Sequence, residues 1–192
     1  MPQPNARVCP ASRSWGLDNI FRTLLQPPER ILRGYINHGD NVLDIGCGPG
    51  FFTRAMAHMV GENGRVIAVD LQEEMLEKLR ARAGKEGLIR RIKTVKASGE
   101  SLNLAGHDPA VFALAFYVVH EVPDKARLFR ELWNALVPGG KLLVVEPRTH
   151  VTREEFQASL RLAEAAGFRA VGEPKVLLSR AIVLEKGTSL GH

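Results

Sequence analysis

Cysteine is scarce in this sequence, with only two among 192 residues. Cys9 and Cys47 are too few for a disulfide framework, and neither belongs to a C-x-x-C pair with metal-ligand spacing, so we expect no structural metal. Long apolar runs are also missing, since the longest, residues 110–119, is about half of what a membrane-spanning helix needs. The N-terminus lacks the basic-then-apolar pattern of a signal peptide. We therefore expect a cytoplasmic protein that does not enter a membrane.

Internal repeats and low-complexity segments are absent as well, and the composition, 45% hydrophobic and 24% charged, is that of a globular protein. The formal net charge is +5. Much of the positive surplus lies in one stretch, at Lys78, Arg80, Arg82, Lys85, Arg90, Arg91, Lys93 and Lys96. Glutamates are interspersed there, and no aromatic side chain joins them as a stacking platform. The stretch favours a solvated surface, while its charge leaves nucleic-acid binding open as a weaker alternative.

Strand-like and helix-like segments alternate from residue 41 onward, which is typical of a parallel sheet covered by helices on both faces. The first four predicted strands are residues 41–45, 65–69, 91–96 and 111–116. Helices over 50–60 and 72–83 are predicted to separate the first three strands. The fourth strand is strongly apolar, as a central strand buried on both faces should be.

The second half of the chain continues this alternation and then departs from it. Asp124 has the position of an N-cap for a helix that Pro138-Gly139-Gly140 should end, and a fifth strand follows at residues 141–146. Thr152 and Glu155 have the spacing of a capping box for the next helix. The last two strands, 168–176 and 180–185, are joined too tightly for a parallel crossover. They should therefore pair as an antiparallel hairpin.

The predicted organisation has three parts. Residues 1–40 are expected to form an N-terminal arm and helical lid, with helices at 18–26 and 28–36. Trp15 and Asp18 lie in this arm, where Trp15 would either cover the acceptor site or pack its helix onto the sheet. Residues 41–187 form the α/β domain. Residues 188–192 form a tail.

The turn after the first strand carries the strongest chemical signal. Asp44 is followed by Gly46, Gly48 and Gly50 and then by a helix, so glycines stand where the chain turns sharply and where a ligand touches backbone. In an NAD-binding fingerprint the third glycine comes one position later, and an acidic residue two places before the first glycine is not part of that pattern. A zwitterionic methionine tail fits instead, with its carboxylate at the loop amides and its ammonium group attracted to Asp44.

Asp70 ends the second strand, close to the spacing at which doubly wound folds place a carboxylate on ribose hydroxyls. Taken alone, it would serve equally well as a cap for the helix that begins near Gln72. Together with the glycine turn, it predicts a nucleoside ligand.

These features resemble the ordered motifs of class I S-adenosylmethionine-dependent methyltransferases. The resemblance covers residues 41–185 and rests on Val42 to Gly50, Asp70, Ser98-Gly99-Glu100, the loop at 120–124 and the segment at 136–140. It implies a Rossmann-like α/β fold with a seven-stranded sheet in the order 3-2-1-4-5-7-6, strand 7 antiparallel and helices on both faces. It also implies S-adenosyl-L-methionine as the cofactor.

The resemblance assigns site residues by position. Besides Asp44, the implied cofactor-binding set is Gly46, Cys47, Gly48, Gly50, Asp70, Leu71, Ser98, Gly99, Glu100, Ala115 and Phe116. Of these, Leu71 should lie against adenine, residues 98–100 near its edge, and Ala115 and Phe116 beside the methionine and sulfonium. Cys47 is expected to pack beside the cofactor rather than to act as a nucleophile.

Methyl transfer needs mainly the alignment of two reactants, and a base only when the acceptor is protonated. Candidate catalytic residues follow strands 4 and 5, where open α/β sheets bind ligands: Tyr117, His120, Glu121 and Glu146. His120 would equally serve as a packing or capping residue of its loop, and Glu146 as a turn or helix anchor.

The function predicted from these residues is methyl transfer to a small molecule, because no separate domain is left over to grip a macromolecule. One alternative is an RNA or protein methyltransferase guided by the basic stretch. The other is a catalytically silent cofactor-binding subunit. The acceptor and the oligomeric state are not predicted.

Overall fold

A computed structural model describes residues 27–187. The predicted helix at 18–26, the lid residues Trp15 and Asp18, and the tail at 188–192 lie outside the described residues. Within them the helices are α1 (Pro28–Leu32), α2 (Phe51–Val60), α3 (Glu73–Lys85), α4 (Lys125–Ala135) and α5 (Arg153–Ala165). The strands are β1 (Asn41–Ile45), β2 (Arg65–Asp70), β3 (Ile92–Lys96), β4 (Ala110–Phe116), β5 (Leu136–Pro147), β6 (Phe168–Gly172) and β7 (Ser179–Lys186).

The seven strands form one sheet in the order β3-β2-β1-β4-β5-β7-β6. β7 pairs antiparallel with both β5 and β6, whereas the other neighbours are parallel. The predicted fold class and the predicted hairpin are therefore confirmed. The ends of β1, β2, β4 and β5 meet at one edge of the sheet, which we call the carboxyl edge. Ser179 pairs with Pro147, so β7 begins at this edge too.

Both faces of the sheet are covered, as the apolar strands require. Val42 packs in a cluster with α2 and α3, whereas its neighbour Leu43 packs in a second cluster with α4 and α5. Two predicted caps are confirmed. Asp124 accepts a hydrogen bond from the backbone N–H of Arg127, and Thr152 and Glu155 form a capping box.

Three predicted boundaries are wrong. β6 ends at Gly172 rather than residue 176, because Pro174 has no N–H group to donate to a sheet. α1 ends at Leu32 rather than residue 36, because Gly34 adopts φ of +85° and Tyr35 leaves the helix to stack on Phe112, with ring centroids 5.3 Å apart. β5 begins at Leu136, which pairs with Ala110, so that 137–140 form an irregularity inside the strand. Within the described residues, no helix is long and apolar enough to cross a membrane.

Candidate active site at the carboxyl edge

The glycine turn between β1 and α2 adopts a conformation that only glycine tolerates well. Gly46, Gly48 and Gly50 have φ of +68°, +51° and +88°. A Cβ atom at Gly46 would lie 2.6 Å from Cγ2 of Val118, and one at Gly50 would lie 2.2 Å from Cδ1 of Leu79. These glycines therefore serve the turn itself and the close approach of its neighbours.

The amide groups of this turn are tied to the end of β2. The N–H groups of Gly46 and Cys47 donate to the carbonyl oxygen of Val69, at 2.8 and 3.0 Å, and that of Gly48 donates to the Asp70 carboxylate at 2.8 Å. The amides expected to face a ligand carboxylate are thus occupied. The donors left for an anion are the first-turn N–H groups of α2, which have no acceptor within the helix. Among described residues, none donates to the carbonyl oxygen of Gly46, which leaves that oxygen available to an ammonium group.

Asp44 lies beneath the turn rather than in the cleft. It is 2% exposed, and the Thr53 hydroxyl donates to its carboxylate at 2.5 Å. Burial raises the pKa of Asp44 to about 7, helped by the negative charge of Asp70 and opposed by the Thr53 hydrogen bond. Asp44 therefore anchors α2 to β1. The attraction of a ligand ammonium group to Asp44 stays a prediction, and from this buried position it would act through the turn.

Asp70 has the expected place at the carboxyl edge and an additional structural role. Its two carboxylate oxygens accept hydrogen bonds from the backbone N–H groups of Gly48 and Gln72, at 2.8 and 2.9 Å. Burial raises its pKa, and these backbone bonds oppose that shift. Each carboxylate oxygen has a second lone pair, so the group still has capacity for two ribose hydroxyls. The cap and the ligand role proposed for Asp70 are compatible in this geometry.

The residues assigned to adenine differ in how available they are. Leu71 is 45% exposed beside Asp70, as an adenine-facing side chain should be. The Ser98 hydroxyl accepts from the N–H groups of Glu100 and Ser101, and the carbonyl oxygen of Gly99 accepts from Arg127. Ser98 is therefore engaged in holding its own loop.

Three further residues of the predicted cofactor-binding set lie at the carboxyl edge: Cys47, Ala115 and Phe116. Ala115 is fully buried in the α4 and α5 cluster, and it pairs with both β1 and β5 within the sheet. Burial raises the pKa of the Cys47 thiol, which makes it a poor nucleophile. Phe116 packs between Phe52 and Tyr117, with centroid distances of 4.5 and 4.4 Å.

The turn after β4 and the end of β5 bring together a buried carboxylate and a histidine. Glu146, 2% exposed at the end of β5, accepts the backbone N–H of Val119 at 3.0 Å through Oε1, and its Oε2 lies 2.5 Å from Nδ1 of His120. The Glu146 hydrogen bond raises the pKa of His120, and burial opposes this. Glu121 lies on the other side, with Oε1 4.0 Å from His120 Nε2. The structure thus brings His120, Glu121 and Glu146 together.

Tyr117 is directed toward the hairpin instead. Its hydroxyl lies 2.5 Å from the Ser179 hydroxyl, and its φ of +59° is unusual for an aromatic residue. Sequence reasoning missed Thr53, Val118 and Ser179, which support Asp44, Gly46 and Tyr117. Nothing in their local sequence marks them, because their partners are distant along the chain.

The residues present fit S-adenosylmethionine, since the edge combines a glycine cradle, a free carbonyl oxygen, helix N-terminal donors and the Asp70 carboxylate, which accepts hydrogen bonds.

Residues 42–140 match the family model described as methyltransferase domain. The ubiquinone/menaquinone biosynthesis C-methyltransferases of Klebsiella pneumoniae and a Marinomonas species are each 32% identical, over 58% and 69% of this chain. The chain spans only about half the length of these relatives, 44% and 54%.

A solved structure supports the same assignment along nearly the whole fold. The S-adenosylmethionine-dependent methyltransferase of Aquifex aeolicus superimposes with a TM-score of 0.75 at 26% identity, covering 88% of this chain and 94% of that one. The sheet order agrees with this likeness. The chain belongs to the methyltransferase-domain family, with the fold of S-adenosylmethionine-dependent methyltransferases.

Proposed function

We propose that this protein transfers a methyl group from S-adenosylmethionine to a small organic acceptor. The observation that carries the proposal is the glycine turn bonded to the Asp70 carboxylate, at the edge where His120 and Glu146 also meet. Cofactor and acceptor sites at one edge permit the in-line alignment that methyl transfer needs.

The aromatic contact of Phe52, Phe116 and Tyr117 beside this edge supports a flat, partly apolar acceptor. The relatives that act in ubiquinone and menaquinone biosynthesis point to the same class. Ion pairs weigh against an RNA substrate. Three of the eight cations of the basic stretch, Lys78, Arg80 and Arg91, pair with glutamates, which reduces the positive charge that an RNA phosphate would meet there.

Calorimetry tests the cofactor choice. We expect S-adenosylhomocysteine to bind and NAD not to bind, because the glycine spacing and the bonded turn suit a methionine tail rather than a dinucleotide pyrophosphate. A panel of phenolic and quinol acceptors then tests turnover, measured as release of S-adenosylhomocysteine. Tight NAD binding without S-adenosylhomocysteine binding would overturn the proposal. Cofactor binding without turnover on any acceptor would favour a silent partner subunit.

Asp70→Asn should weaken S-adenosylhomocysteine binding about ten- to a hundredfold, or roughly 1.5 to 3 kcal/mol, because two ribose hydroxyls lose their charged acceptor. Asparagine is preferred to alanine, since its amide oxygen still accepts one of the two backbone N–H groups that Asp70 holds. Asp108→Asn, at an exposed position before β4, is the matched control. Equal affinities in the two variants would mean that the ribose is bound elsewhere.

A further inference from the structure

The contacts of Glu146 determine which ring nitrogen of His120 carries the proton. Glu146 is buried and is held by the Val119 N–H, so its carboxylate is fixed before any ligand arrives. A carboxylate only accepts hydrogen bonds, so the Nδ1 atom that contacts it must carry the proton. In neutral His120 the lone pair therefore belongs to Nε2, on the side of the ring away from β5.

The geometry points to Glu146 as the positioning residue of a Glu146–His120 pair in which His120 Nε2 takes a proton from the methyl acceptor. This inference rests on the proposed methyl transfer and narrows its substrate class. The acceptor must be a molecule that loses a proton on methylation, such as a phenol or enol methylated on oxygen, or an aromatic diol methylated on a ring carbon. A tertiary amine or a thioether has no proton to lose on methylation, so the Glu146–His120 pair would have no role with such an acceptor.

The charges around His120 favour this role. Glu146 faces it from β5, Glu121 from the same turn and Lys125 from the start of α4, while the His150 ring stacks at 6.3 Å. Glu146 and Glu121 favour the imidazolium, whereas Lys125 and burial oppose it. The net effect is a pKa above the ordinary histidine value, which suits a base that accepts a proton near neutral pH.

Every proton and electron pair of the proposed step is accounted for. Bound S-adenosylmethionine supplies a methyl group on a positively charged sulfur. As the acceptor atom forms its bond to that methyl carbon, the electron pair of the carbon–sulfur bond remains on sulfur. The proton of the acceptor moves to His120 Nε2, and Glu146 balances the charge of the imidazolium. Water then takes the proton from Nε2 and restores the neutral ring.

The tautomer of His120 is a test that does not depend on turnover. We expect ¹⁵N NMR of the protein alone, with the His120 signals identified by their loss in His120→Asn, to find neutral His120 protonated at Nδ1. In Glu146→Gln, the side-chain amide can donate to Nδ1, so the proton should move to Nε2 and the His120 pKa should fall. A proton on Nε2 in the wild-type neutral ring would overturn the inference even if Glu146→Gln failed to fold.

Steady-state kinetics provide a second test of the Glu146–His120 pair. We expect Glu146→Gln to lower kcat about 10²- to 10⁴-fold, as for other histidine bases held in the wrong tautomer. The acid limb of its pH profile should move in parallel with the His120 pKa, which a merely structural role would not produce. Glu121→Gln removes a carboxylate at 4.0 Å without touching Nδ1 and should retain the wild-type tautomer. An unchanged pH profile in folded Glu146→Gln would refute the pair, whereas failure to bind S-adenosylhomocysteine in the wild type would refute the proposed function itself.

Discussion

Replacement of His120 by alanine is expected to lower turnover about 10²- to 10⁴-fold while cofactor affinity stays nearly unchanged. The reason is geometric. His120 lies near Glu146 and Glu121, where we propose that the acceptor binds, whereas the glycine turn and Asp70 form the proposed cofactor site. The measurement pairs steady-state turnover on a responsive acceptor with calorimetric binding of S-adenosylhomocysteine.

His120→Asn separates two explanations of such a loss. Asparagine can donate a hydrogen bond to Glu146, but it cannot take up a proton at neutral pH. Restored activity in His120→Asn would mean that His120 only orients its loop and that the enzyme works by alignment alone. If both variants lose turnover while folding and cofactor binding stay normal, the role of His120 as a general base remains the explanation. His58→Ala, at an exposed position on α2, should behave as wild type.

Gly46→Ala is expected to reduce S-adenosylhomocysteine affinity more than a hundredfold and to lower the free energy of unfolding. A non-glycine residue in the left-handed region costs about 1 to 3 kcal/mol, and the new methyl group would lie 2.6 Å from Val118. Val118 leads directly into the turn at Val119–Glu121 that Glu146 holds. Movement of either segment therefore separates the cofactor side from the acceptor side.

Gly84→Ala is the control for Gly46→Ala. Gly84 lies in α3, has no neighbour within 4 Å of the added Cβ and has no positive φ. Alanine should stabilise that helix by about 0.5 to 1 kcal/mol. Urea unfolding and calorimetry on both variants give the comparison. If Gly46→Ala keeps the wild-type stability and cofactor affinity, the Val118 side chain can shift to make room for the new methyl group without affecting either.

The order of strands and helices was predictable because its signals are local. Hydrophobic periodicity, the glycine turn, the Asp124 cap and the Thr152 capping box each involve residues within a few positions of one another. The sheet order came from the family resemblance instead. The end of α1 escaped prediction because Tyr35 leaves its helix for a ring, Phe112, on a distant strand.

The sequence by itself determined the fold class, the glycine turn, the Asp70 position and the presence of polar residues after β4 and β5. Only the tertiary structure decided what those residues do. It bonded Gly48 to Asp70 across 22 positions, His120 to Glu146 across 26 and Tyr117 to Ser179 across 62. Such pairs form when strands that are remote in the chain end at the same edge, and the orientation of each side chain there depends on burial and on the partners within reach.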